Sequence, residues 1–81
     1  SDGKKLVMAK IEGIAREKVV TPAGEFQCIK YEAYLFNGVV YARKGRVFLW
    51  ISEDDRRLPV QIKLQFPFYV GNITMQLEKI Q

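Results

Sequence analysis

The sequence predicts an all-β fold: an antiparallel meander of about six to seven strands forming a curved sheet, a half-barrel or a small barrel-like sandwich. Three observations predict it. Hairpin or turn signals recur about every ten residues. No window holds a sustained helical stripe. Leu58, Val60, Ile62, Leu64 and Phe66 alternate with Gln61, Lys63 and Gln65 in the period of a half-buried strand, so one face of this chain wants cover.

Taken in order, residues 5–12 set Val7, Ala9 and Ile11 against Leu6, Met8 and Lys10. Gly13 then breaks the phase, which a bulge explains. Thr21-Pro22-Ala23-Gly24 places Pro22 at the first central turn position and Gly24 near the end, between a strand closing at Val20 and one opening at Phe26. The second arm, residues 26–36, carries Ile29, Tyr31, Ala33 and Leu35 on one side. Its other side is mixed: Lys30 and Glu32 point to solvent, while Cys28, Tyr34 and Phe36 point to partial cover. Asn37-Gly38 suits a tight primed turn and predicts a return strand over 39–42. After the Lys44-Gly45 turn, residues 47–51 are apolar on both sides, the pattern of a central strand covered on both faces.

Residues 52–57, SEDDRR, reverse the chain, and Asp54 or Asp55 is expected to pair with Arg56 or Arg57 and pin the corner. Pro59 lacks a ladder donor and belongs at a strand start or on an edge. Phe66-Pro67 forces a bend before a last strand in which Ile73, Met75 and Leu77 alternate with Thr74, Gln76 and Glu78. Gly13, Pro22, Gly24, Trp50, Asp55, Arg57 and Pro59 are therefore read as structural positions, with Trp50 a core anchor.

At 81 residues the chain allows one domain, 1–81. A domain of this size buries only roughly 60% of its unfolded surface, which leaves little room for an enclosed cleft. The net charge of +4 is spread along the chain, and only Arg43-Lys44-Gly45-Arg46 is densely basic. The single cysteine, Cys28, forms no internal disulfide and reads as a small buried apolar residue. With no histidine a zinc site would have to come from carboxylates, so no metal is expected; no cofactor is expected either. No apolar run reaches the ~20 residues that span a bilayer as a helix. The acidic cluster Glu53, Asp54 and Asp55 sits in one turn and does not face a shared pocket. With no activated nucleophile and no phosphate-binding glycine loop, the chain reads as a non-enzyme.

Two kinds of binding remain. Tyr34, Phe36, Tyr41, Arg43, Lys44 and Arg46 form a candidate binding surface of aromatic and basic groups, as in a small nucleic-acid-binding β-barrel. Alternatively, the sheet engages a protein partner, a second copy, or a hydrophobic, lipid-like ligand held in its curvature.

The hairpin VMAKIEGIAREKVVTPAGEFQCIKYEA and the later LWISEDDRRLPVQIK resemble the bacterial DUF3108 family. The match rests on Glu12, Gly13, Val19, Thr21, Pro22, Ala23, Gly24, Phe26, Cys28 and Lys30, then on Trp50, Ser52, Asp54 or Asp55, Arg56, Arg57, Pro59 and Val60. The resemblance implies an exported protein of the periplasm or cell envelope, of which this chain is the carboxy-terminal part. It carries no catalytic residues to transfer. What it implies for function is a non-enzymatic envelope domain that binds through its sheet, with nucleic acid as the alternative partner.

Overall fold

The computed structural model describes residues 7–36, 45–66 and 71–80. Among these, five strands form one open antiparallel sheet: β1 (Val7–Thr21), β2 (Gly24–Phe36), β3 (Arg46–Ser52), β4 (Pro59–Gln65) and β5 (Asn72–Gln76). The spatial order follows the chain, β1-β2-β3-β4-β5, so every connection is between neighbours. The class is all-β, with fewer strands than the six to seven expected. The Asn37-Gly38 turn and the return strand over 39–42 lie outside the described residues, as do Pro67 and the bend around it.

The first hairpin is the longest element because its ladder continues through two register shifts and its loop is only two residues. Thr21 pairs with Gly24, and Gly24 sits at φ 130°, a conformation open to residues without a Cβ. Thr21 Oγ1 accepts a hydrogen bond from the Ala23 amide at 3.0 Å, closing the turn. Along β1 the register slips twice, between Met8 and Lys10 and between Gly13 and Ala15, so Gly13 lies at a bulge. The strand passes through it without ending.

At the second corner the Ser52 hydroxyl does most of the joining. Its Oγ donates to Asp54 Oδ1 at 2.8 Å and accepts from the Leu58 amide at 2.8 Å, while the Ser52 amide donates to the Leu58 carbonyl. Asp54 also accepts from the Arg56 amide at 3.1 Å and from Arg56 Nε at 3.0 Å. The ionic pin is thus Asp54 with Arg56, rather than Asp55 with Arg57. A carboxylate two residues before a basic residue reaches both its amide and its guanidinium within the turn. Arg57 contributes through its backbone, which takes φ 49° to complete the reversal.

The sheet curls around one face. Val19, Phe26, Cys28, Phe48, Trp50 and Val60 form the buried cluster, with Ala23, Leu58 and Leu77 packed against it. This core joins β1, β2, β3 and β4, which a flat sheet would hold apart. Gln76 Nε2 on β5 reaches the Val20 carbonyl on β1 at 3.4 Å, a side-chain contact across the open side that leaves the backbones of the two strands unpaired.

The core lies on the side of β2 that the sequence left mixed: Cys28 is buried there as partial cover implied, and Glu32, read as pointing to solvent, is buried with it. The β4 alternation is also corrected. Between Trp50 and Ile51 the partner shifts from Gln61 to Pro59, and the extra residue, Val60, turns inward with 0% exposure. Ile62 and Leu64 consequently fall on the opposite face from Val60, and Phe66 is 37% exposed. Central strand β3 is covered on one face only: Phe48 and Trp50 are buried, whereas Val47, Leu49 and Ile51 are half-exposed.

Candidate functional site

The register builds two opposite surfaces from the same strands. On the concave side, one cross-strand row reads Glu12, Glu32, Phe48, Lys63 and Thr74, and the next reads Lys30, Trp50, Gln61 and Gln76. On the convex side the rows read Gly13, Tyr31, Leu49, Ile62, Met75 and Ile11, Ala33, Val47, Leu64, Ile73. Both convex rows span all five strands without a charged or hydrogen-bonding side chain other than the Tyr31 hydroxyl.

On the concave side, polar groups are satisfied by each other. Glu32 is buried and accepts from Arg46 through two nitrogens, at 2.8 and 2.9 Å. Such a bidentate pair offsets the cost of placing a carboxylate inside. The hydrogen bond from Arg46 holds the Glu32 pKa below its ordinary value, against the upward push of burial. Tyr34 donates to Glu12 at 3.2 Å and lies 3.4 Å from Glu32. Desolvation and the two carboxylates raise the pKa of its phenol. The Arg46 guanidinium rests 4.9 Å from the Phe48 ring centre, and Lys30 Nζ sits over both Phe48 and Trp50, at 4.7 and 5.1 Å. Trp50 Nε1 donates to Glu17 at 2.9 Å.

Of the six residues proposed as an aromatic and basic binding surface, the structure brings Tyr34 and Arg46 together, around Glu32. Tyr41, Arg43 and Lys44 lie outside the described residues, as does the side chain of Phe36. Glu32 is the residue that sequence reasoning left out of this cluster. Its signal was the pairing of an acidic residue with Tyr34 two positions later on the same strand face. The acidic corner does not assemble a shared pocket: Glu53 binds Arg16 at 3.0 Å and Asp54 binds Arg56. Burial raises the pKa of the Cys28 thiol, with Glu53 and Asp54 adding to the effect. Among the described residues no group of three His, Cys, Asp or Glu is placed to hold a metal ion, and no helix is long and apolar enough to cross a membrane.

The convex surface differs in kind. Ile11, Ile73 and Met75 are 48%, 50% and 51% exposed, Val47, Leu49, Ile62 and Leu64 between them are half-exposed, and Ala33 is buried. Five strands at about 4.8 Å spacing make these rows roughly 20 Å wide, which exceeds scattered surface hydrophobicity. A sheet face of this composition is normally one half of a two-layer interior.

No curated protein and no solved structure matches the chain. The model of DUF3108, described as a protein of unknown function, matches residues 1–78, and these include both the turn-closing hairpin and the Ser52 corner; the chain belongs to that family.

Proposed function

We propose that this chain is a non-enzymatic binding domain of the bacterial cell envelope, located in the periplasm, whose convex sheet face docks a protein partner. The observation that carries the reading is the pair of uncharged rows running from Ile11 and Gly13 on β1 to Ile73 and Met75 on β5. The envelope location is supported by the family resemblance of the hairpin and corner motifs.

Shape favours a protein over a lipid-like ligand. An acyl chain is held by concavity, and the concave side is already filled by Val60, Cys28, Phe48 and Trp50. The convex side can shed water only against a surface that wraps it. A second copy placed there would meet it convex to convex and touch along a narrow line. The nucleic-acid alternative is disfavoured by Glu32, whose carboxylate occupies the Arg46 guanidinium that a phosphate would need.

The test places a photo-crosslinking amino acid at Leu49, or at Lys63 on the opposite face, in the full-length protein of its own host. A discrete protein adduct from Leu49 and none from Lys63, recovered in the envelope fraction, is the expected result. A lipid adduct, equal labelling from both positions or recovery in the cytosol would overturn the reading.

A further inference from the structure

The two edges of the sheet are built differently. The β1 edge carries Lys10, Glu12, Arg16, Glu17 and Lys18 and two register shifts, the devices that keep an edge from pairing with another strand. The β5 edge, Asn72–Gln76, has no charge, no proline and no bulge, and all five residues are exposed.

Its hydrogen-bonding groups can be assigned. The Phe66 amide donates to the Gly71 carbonyl and the Leu77 amide to the Val60 carbonyl, both at 2.9 Å. Because bonded pairs alternate in an antiparallel ladder, Ile73 and Met75 bond inward to β4. The backbone amides and carbonyls of Asn72, Thr74 and Gln76 therefore point away from the sheet.

We propose that β5 pairs antiparallel with β5 of a second copy about a two-fold axis through Thr74. The segment is self-complementary in this register. Thr74 faces Thr74 of the other copy and Asn72 faces Gln76, and these are the positions whose backbone groups point outward. Ile73 then meets Met75 of the other copy on the convex side, so the apolar rows run on from one sheet into the next. Polar side chains meet on the concave side. Thr74 already lies opposite Lys63 within its own sheet, so a carboxylate at position 74 is accommodated in the monomer but meets its like across the axis. This pairing uses the sheet edge and stands apart from what docks on the convex face.

Five residues of edge make a small contact, so the dimer dissociates at about 10 µM to 1 mM. Sedimentation equilibrium of the chain over that range is expected to show a monomer–dimer equilibrium. Thr74→Glu should weaken it about two- to fivefold, Thr74→Lys should weaken it at least as much because that position also faces Lys63, and mixing the two variants should restore association toward the level of the unaltered chain. Independently of any variant, protection of the Thr74 amide from hydrogen exchange should rise with protein concentration. A chain that stays monomeric to about 1 mM, a Thr74→Glu variant that dimerises unchanged, or Thr74 exchange that ignores concentration would each overturn the pairing. The Leu49 crosslink is not altered by Thr74→Glu, which separates failure of this inference from failure of the docking reading.

Discussion

The concave and convex faces of this sheet are made from alternate residues of the same strands, yet the face richer in aliphatic side chains is the less buried one. On the convex side, Leu49, Ile62, Leu64, Ile73 and Met75 remain half-exposed or exposed. On the concave side, Cys28 and Val60 reach 0% exposure and even the charged Glu32 is withdrawn from water. Curvature decides which face closes, because side chains converge inside an arc and diverge outside it. Hydrophobicity then follows on one side and is left unanswered on the other. An apolar face that the described residues leave uncovered is a place where binding can act.

Stability measurements can sharpen this contrast. The largest effect is expected for Trp50→Ala, which empties the centre of the arc and takes the indole donor from Glu17. A loss of about 3 to 5 kcal/mol approaches the whole stability of a domain this small, so urea unfolding followed by far-UV circular dichroism should show little or no folded baseline. Val60→Ala should cost about 2 to 3 kcal/mol by the same measurement. If either variant were as stable as the parent chain, the concave cluster would not be the core.

Arg46→Ala comes next, at about 1 to 2 kcal/mol, since it leaves the buried Glu32 carboxylate without its two donors. A second signature follows from the direction of the Glu32 shift. Its folded pKa lies below the ordinary 4.5, so its pairing stabilises the fold above that pH and the contribution fades as pH falls through the folded value. Asp54, held down to about 2 mainly by its hydrogen bond from Arg56, adds a loss that begins below its ordinary 3.8 and continues toward pH 2. In Arg46→Ala the Glu32 part of this acid sensitivity should vanish while the Asp54 part persists. Acid titrations of both chains that superimpose would break the assignment.

The smallest effect is expected on the convex face. Ile73→Thr should change the stability of the isolated chain by no more than about 0.5 kcal/mol, because the side chain is 50% exposed. A cost near that of Val60→Ala would show that something within the chain already covers this face.

Much of the scaffold was legible from residue types. Pro22 and Gly24 carry the first turn because its geometry is local, and Gly13 marks a bulge because it breaks an alternation on both sides. The facing of β4 was not legible. A single extra residue at Val60 reverses the inward side, and nothing in LPVQIKLQ besides Pro59 marks where the ladder slips. The inward side of β2 was hidden for a different reason. Lys30 and Glu32 look solvated until β3 brings Arg46, Phe48 and Trp50 alongside, and those partners lie 14 or more positions away from Glu32. The aromatic and basic surface read from Tyr34 and Arg46 was half visible: the two are neighbours, but the carboxylate that joins them makes the spot an internal ion pair.

The contact between Gln76 and the Val20 carbonyl has a consequence in time as well as in space. It joins residues 56 positions apart, and Leu77 packs on the same cluster. During folding the β1-β2 hairpin can form early, from local contacts alone. The contact between β5 and β1 cannot form until the strands between them are in place. Until β5 docks, the concave cluster is an apolar-lined trough open on that side, and docking of β5 and Leu77 is the step that covers it.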